Sequence, residues 1–165
     1  MREKRDLYNS HLQLSGKTYF KGDNIPIGLY PMVVMIAIQN SKGEFLMQKR
    51  VESKGGDWGV TGGHPKHGET PNEGIITEVK EELGIDIPNQ KIIEFDRGCD
   101  GKDCYIMYYT KMDLDIHKLN IQLEELSEVK WFSIETLQKK VETGELNPDQ
   151  VEFFNKCVDF LHTNN

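Results

Sequence analysis

The chain has 165 residues, a length suited to one domain spanning 1–165, and 37% of its residues are hydrophobic, which argues against a disordered protein. The formal net charge of −7 argues against binding to nucleic acid polymers or anionic membranes, because both select basic surfaces. No apolar run is long enough for a membrane span or a signal peptide, so we expect a cytoplasmic location. Cys99, Cys104 and Cys157 contain no C-x-x-C pair, which predicts reduced packing residues.

Strands and helices are predicted to mix along the chain without strict βαβ alternation, which indicates the α+β class. Residues 1–30 are predicted to form an N-terminal extension or hairpin, with a strand at 17–20 and a partner near 7–12. The apolar run 32–38, a polar turn and the segment 44–48 predict a second hairpin. Further strands are predicted at 91–95, 104–110 and 128–132, and helices at 134–142 and 148–162.

The clearest predicted element is a helix over residues 71–83. Thr70 is the expected N-cap, Pro71 occupies the first helical position, and Glu73 completes a capping box. Gly84 is expected to end the helix. Four apolar residues fall on one stripe of this helix, which predicts that it docks on a sheet: Ile75, Ile76, Val79 and Leu83.

Three carboxylates lie at the edge of that stripe. Glu78, Glu81 and Glu82 occupy an arc of about 100° on the predicted helix, where like charges repel one another. A hard divalent cation with oxygen ligands, Mg²⁺ or Mn²⁺, would remove that repulsion. A solvated acidic face is the alternative interpretation. The glycines upstream favour a ligand site, because they let backbone atoms approach a ligand closely.

Residues 63–85 resemble the Nudix box, whose pattern is G-x5-E-x7-R-E-U-x-E-E-x-G-U with U apolar. The chain reads Gly63-x5-Glu69-x7-Thr77-Glu78-Val79-Lys80-Glu81-Glu82-Leu83-Gly84-Ile85, so one fixed position differs. The resemblance implies an α/β/α sandwich around a mixed sheet. It also implies a hydrolase that cleaves the phosphoanhydride bond of a nucleoside diphosphate-linked or related small molecule.

The same resemblance implies roles for particular residues. Glu78, Glu81 and Glu82 are carried over as ligands of Mg²⁺ or Mn²⁺, with the Gly63 carbonyl as a further ligand. Glu81 and Glu82 are also candidates for the catalytic base. A late glutamate is expected in many members, for which Glu125 is the candidate and Glu124 and Glu128 are competitors.

Other positions carry weaker expectations. Lys49 and Arg50 are candidates for binding substrate phosphate, with ordinary surface charge as the alternative. Trp58 is expected to pack rather than to stack on a base. Thr77 stands where the family has an arginine that orients the acidic residues, so we expect a looser acidic site in which Lys66 or Lys80 substitutes.

Residues 40–50 and 58–65 are most similar to the isopentenyl diphosphate isomerase-like branch of the family. In that branch a C-G-H-P segment supplies a catalytic cysteine, whereas this chain has Gly62-Gly63-His64-Pro65. Pro31 also replaces a metal-binding histidine, and His64 is expected to be a loop residue. These departures favour a hydrolase, with an isomerase-like enzyme or a non-catalytic nucleotide or metabolite sensor as alternatives. The expected partner is a small-molecule diphosphate, bound by a monomer or a homodimer.

Overall fold

The structure is a computed structural model, and it describes residues 2–164. Within these residues, nine strands and three α-helices alternate irregularly, so the predicted α+β class is confirmed. The strands are β1 (Lys4–Tyr8), β2 (Leu14–Phe20), β3 (Tyr30–Gln39), β4 (Phe45–Arg50), β5 (Trp58–Gly59), β6 (Thr61–Gly63), β7 (Ile93–Cys99), β8 (Cys104–Lys111) and β9 (Leu126–Phe132). The helices are α1 (Pro71–Leu83), α2 (Ile134–Glu142) and α3 (Pro148–Thr163).

Strand β3 is the centre of a mixed sheet. It pairs in parallel with β8 from Met32 to Gln39 and antiparallel with β6 from Val34 to Ile36. The predicted turn after β3 is present, but β3 and β4 pair only at Gln39 and Phe45. They diverge because β6 occupies the edge of β3, and β4 instead pairs with β5 and β9.

Helices cover both faces of this sheet. Even-numbered residues of β3, including Val34 and Ile36, pack in one core with Ile75, Val79 and Leu83 of α1. On the other face, Ala37 packs in a second core with α2 and α3. This alternation follows from the period of two along a strand, and it produces the α/β/α layering expected from the sequence.

Helix α1 begins and ends where the sequence predicts. The Thr70 side chain accepts a hydrogen bond from the Glu73 backbone N–H, and the Glu73 side chain accepts one from the Thr70 backbone N–H. Gly84 ends the helix with a φ of 69°, a left-handed conformation that glycine adopts without a steric penalty. The helix therefore holds Glu78, Glu81 and Glu82 at a well-defined position beside the sheet.

Two expectations for the first and middle parts of the chain need correction. The N-terminal hairpin exists, but its first strand is Lys4–Tyr8 rather than a segment near 7–12. Cys99 and Cys104 form a disulfide, so the prediction that they are reduced is wrong, whereas Cys157 is free and buried. Antiparallel pairing of β7 with β8 places the two cysteines opposite each other, which their sequence spacing alone did not reveal.

Within residues 2–164, no helix is long and apolar enough to cross a membrane.

Candidate active site

A cleft of about 1250 Å³ opens beside the C-terminal half of α1. Its walls come from the N-terminal hairpin, the end of β4, the glycine-rich strands β5 and β6, the turn between β7 and β8, and the start of α3. Five predicted site residues that lie on α1, on β6 or in the loop before β9 line this cleft: Gly63, Glu78, Glu81, Glu82 and Glu125. The fold therefore brings together residues that lie up to 62 positions apart in the sequence.

Glu78 lies directly against Gly63. A Cβ atom at residue 63 would overlap the Glu78 carboxylate, so only glycine allows this approach. Burial, together with the negative charges of Glu82, Glu81 and Glu3, raises the pKa of Glu78 to about 8. The surroundings of Glu78 therefore disfavour its negatively charged form.

Glu82 is positioned by two buried polar side chains that the sequence analysis did not identify. The Thr61 hydroxyl donates to Gln48 Oε1 at 2.8 Å, and Gln48 Nε2 donates to Glu82 Oε2 at 2.7 Å. Burial raises the pKa of Glu82 to about 7, although the Gln48 hydrogen bond acts in the opposite direction. Gln48 is the one polar residue among the four buried residues that begin β4, and it directly follows the apolar run Phe45–Met47, which is the signal that could have revealed it.

Glu81 is more exposed than Glu78 and Glu82, and its partner is Lys66. The ammonium of Lys66 forms an ion pair with the Glu81 carboxylate. Lys80, the other expected substitute for the family arginine, instead binds Asp86 at 2.6 Å. Of these two lysines, Lys66 is therefore the one that brings positive charge to the acidic site.

Thr77, which stands where the family has an arginine, binds Glu69. Its hydroxyl donates to Glu69 Oε1 at 2.8 Å, while the other Glu69 carboxylate oxygen accepts from the Lys66 backbone N–H at 2.8 Å. Glu69 thus connects α1 to the loop that carries Lys66. Both oxygens of Glu69 therefore have partners, and the looser acidic site stays a prediction.

We expect Thr77→Arg to produce no gain in turnover, since the Thr77 hydroxyl already binds Glu69 and Lys66 already pairs with Glu81. Turnover and Mg²⁺ affinity of the variant should stay within about twofold of the parent or fall. Steady-state kinetics across a metal titration measure both quantities. A rise of about tenfold in either quantity would contradict this expectation.

The loop before β9 and the end of β4 supply further charged groups. Glu125 lies in the cleft, where its charge helps to raise the pKa of Glu82 after the effect of burial, and its carboxylate forms an ion pair with Lys54. Arg50 also lines the cleft, whereas Lys49 lies 3.9 Å from Glu52 and is not part of the lining. Of the competitors of Glu125, Glu128 pairs with Lys130, and neither Glu124 nor Glu128 lines the cleft.

Residues of the N-terminal hairpin also line the cleft, a contribution that the sequence analysis missed. Arg5 and Lys21 face His64, whose pKa is lowered to about 4 by burial and by these two positive charges. His64 therefore faces the cleft as a neutral side chain near pH 7. Trp58 is 7% exposed and packs against Phe132 with ring centroids 4.7 Å apart, so the expected packing role is confirmed.

The glutamates surround one cleft without forming a chelate. Among residues 2–164, no three His, Cys, Asp or Glu side chains are arranged to hold a metal ion. Glu81 pairs with Lys66 and Glu82 with Gln48, so shared binding of a cation requires these side chains to reorient. The metal-ligand roles of Gly63, Glu78, Glu81 and Glu82 remain predictions.

Comparisons with known proteins agree with the sequence resemblance. The NUDIX domain family model matches residues 29–157. An uncharacterized Nudix hydrolase of Listeria innocua is 32% identical over 155 residues, which cover 88% of this chain and 89% of that protein. The solved structure of DR0079 of Deinococcus radiodurans is similar, with a TM-score of 0.79, 22% identity, and coverage of 94% of this chain and 99% of that one.

A second solved structure is similar over part of its length. It is a bifunctional NMN adenylyltransferase/ADP ribose pyrophosphatase of Francisella tularensis, complexed with AMP and a Mn ion. The TM-score is 0.62 at 17% identity, and the alignment covers 84% of this chain and 43% of that protein. The family model, the Listeria relative and the shared fold lead to one conclusion: this chain belongs to the Nudix hydrolase family.

Proposed function

We propose that this Nudix hydrolase cleaves a phosphoanhydride bond in a nucleoside diphosphate-linked or related small metabolite, with Mg²⁺ as the cofactor and Mn²⁺ as a substitute. The observation that carries this proposal is the convergence of Glu78, Glu81, Glu82 and Glu125 on one cleft. The Francisella protein, an ADP ribose pyrophosphatase that binds AMP and Mn, has a similar fold. The predicted cytoplasmic location and monomeric or homodimeric state are retained as parts of this proposal.

The residues of the cleft fit a divalent cation. Carboxylate and carbonyl oxygens are the ligands that Mg²⁺ and Mn²⁺ prefer. Burial and mutual repulsion raise the pKa values of Glu78 and Glu82, so a nearby positive charge would stabilise their ionised forms. Glu78, Glu81, Glu82 and the Gly63 carbonyl would hold the cation, which when bound supplies charge neutralisation on the pyrophosphate and a more acidic attacking water.

The remaining groups suggest how the chain handles the substrate and the proton. Glu81, Glu82 and Glu125 are the candidate bases, because each carboxylate reaches the cleft where a water would attack. Gln48 orients Glu82, and Lys54 holds Glu125. Arg50 is the better of the two predicted phosphate-binding residues, since Lys49 lies outside the cleft lining.

The geometry at Gly62 supports hydrolysis over isomerase-like chemistry. Glycine has no group that can transfer a proton, and a Cβ atom at this position would lie 2.7 Å from the Val34 carbonyl oxygen. A cysteine could therefore not be accommodated here without a backbone shift. This crowding extends the argument from the sequence, where Gly62 replaces the cysteine of the isomerase-like branch.

The proposal is tested by measuring product release from nucleotides, dinucleotides, nucleotide sugars and isoprenoid diphosphates in the presence of Mg²⁺. Glu81→Gln is assayed in parallel as the impaired variant. We expect turnover on at least one class and its loss in the variant. Ligand binding without turnover on any compound would contradict the hydrolase proposal and favour a sensor.

A further inference from the structure

We infer that Arg5 and Lys21 form an anion subsite that binds the terminal, unesterified phosphate of the substrate. Both residues belong to the N-terminal hairpin, which consists of β1, β2 and Lys21 directly after β2. Both line the cleft near His64. The hairpin precedes residues 29–157, the part of the chain that matches the family model. This inference deepens the proposed function and rests on it, because it concerns the substrate of the same cleft.

The hairpin is joined to the loop between Gly63 and α1 by several hydrogen bonds. The His67 backbone N–H donates to the Lys4 carbonyl at 2.8 Å, and the Gly68 backbone N–H donates to Asp6 Oδ2 at 2.9 Å. The His67 ring lies 2.8 Å from Asp6 Oδ1, and Arg5 forms a β-bridge with Lys66. Arg5 is therefore held at a defined position relative to the glutamates of α1.

The Arg5 side chain is oriented but only partly neutralised. It is 17% exposed, and its Nε donates to Glu3 Oε1 at 2.9 Å. Burial raises the pKa of Tyr19, whereas a side-chain hydrogen bond from Arg5 and the Arg5 charge lower it, so the Tyr19 hydroxyl lies beside the guanidinium. Glu3 engages Nε, and the terminal nitrogens, one of them shared with Tyr19, keep N–H groups that can form the paired hydrogen bonds that guanidinium makes to phosphate.

Lys21 supplies a second positive charge on the same wall. Its backbone carbonyl accepts from Arg2, but within residues 2–164 its ammonium has no ion-pair partner. An exposed cation that faces a cleft and lacks a partner attracts an anion at little desolvation cost. The hairpin residues that line the cleft are Arg5, Lys21 and Glu3, so two cations and one carboxylate leave this part of the lining with a net positive charge.

The charge of the substrate's second phosphate determines how well it binds Arg5 and Lys21. A terminal phosphate carries close to two negative charges at neutral pH and three acceptor oxygens. The same phosphate in a nucleotide sugar is esterified, so it carries one charge and fewer free oxygens. Two cations therefore complement a nucleoside diphosphate or triphosphate better than a diphosphate esterified at both ends.

Binding is tested with imidodiphosphate, in which an NH group replaces the bridging oxygen of pyrophosphate, by calorimetry in the presence of Mg²⁺. We expect Arg5→Gln and Lys21→Gln each to raise the Kd about tenfold. Lys17→Gln is the matched control, because Lys17 is exposed on the same hairpin but does not line the cleft. Unchanged Kd values in the Arg5 and Lys21 variants would overturn the inference.

A second measurement compares kcat/KM for ADP and ADP-ribose, which share the nucleoside and differ in esterification of the second phosphate. We expect the wild-type chain to favour ADP about tenfold and Lys21→Gln to lose that preference. Equal values, or a preference for ADP-ribose, would overturn the terminal-phosphate assignment. Absence of turnover while imidodiphosphate binding still depends on Arg5 and Lys21 would refute the hydrolase proposal and support the subsite. Lys21→Gln keeps the test decisive if Arg5→Gln fails to fold.

Discussion

Glu82→Gln should reduce turnover about 100-fold or more and weaken the rise in Tm that Mg²⁺ produces. The change removes a buried negative charge that is proposed to bind the metal or accept the proton of water. The metal-free fold should remain intact, because the introduced amide oxygen still accepts the hydrogen bond from Gln48. At pH 8 the metal-free variant should melt no lower than the parent, since it lacks a carboxylate that is costly to ionise in the buried site.

Glu128→Gln is the appropriate control for this prediction. Glu128 also lies on the late acidic segment, but it pairs with Lys130 outside the cleft. Removing the Glu128 carboxylate should change turnover by less than about twofold. It should change the Mg²⁺-dependent rise in Tm by less than about 1 °C. Wild-type values for both measurements in Glu82→Gln would place the metal and the base on other residues.

Helix α1 was predictable from the sequence because its signals are local. Its N-cap, capping box and terminal glycine lie within 15 residues, and the spacing of its glutamates follows from helical geometry alone. The same locality made residues 63–85 recognisable as a Nudix box. The glutamates of the acidic site could therefore be named before any tertiary contact was known.

The residues that the sequence analysis missed depend on pairing between distant segments. Gln48 reaches Glu82 because β4 lies beside α1 in space, and Arg5 enters the cleft because β1 is bonded to the loop at 66–68. The Cys99–Cys104 disulfide likewise depends on the register of β7 with β8. Strand register is set by long-range packing, so no short sequence motif predicts these contacts.

The stability of the metal-free protein should fall as pH rises from about 6.5 to about 8.5. The pKa values of Glu78 and Glu82 are raised to about 8 and about 7 in the folded chain, from 4.5 when exposed. The folded state therefore binds more protons than the unfolded state in this window, so the free energy of unfolding decreases with pH. Each carboxyl contributes a slope of at most about 1.4 kcal/mol per pH unit, the value for one proton, and contact with water reduces it further.

Other titrating groups define that window. The lowered pKa of His64, about 4, makes stability rise with pH up to about 6.5, the value for an exposed histidine. Carboxyls whose pKa values are lowered by hydrogen bonds, such as Glu73 and Asp100, lose their stabilising contribution only at more acidic pH. Burial raises the pKa of the Cys157 thiol from 9.0 to about 12, which lowers stability only toward the top of the window. The slope above pH 6.5 therefore reports mainly on Glu78 and Glu82.

Mg²⁺ should reverse this trend, because it binds the ionised carboxylates and releases their protons. The increase in Tm on adding Mg²⁺ should consequently grow between pH 6.5 and pH 8.5, and Glu78→Gln should flatten both the metal-free slope and the metal-dependent increase. Thermal unfolding across this range, with and without Mg²⁺, measures both effects. A metal-free Tm that rises through the window would contradict the buried, repelling carboxyls as its cause. A metal response that is constant with pH would show that the cation binds without displacing protons from Glu78 and Glu82.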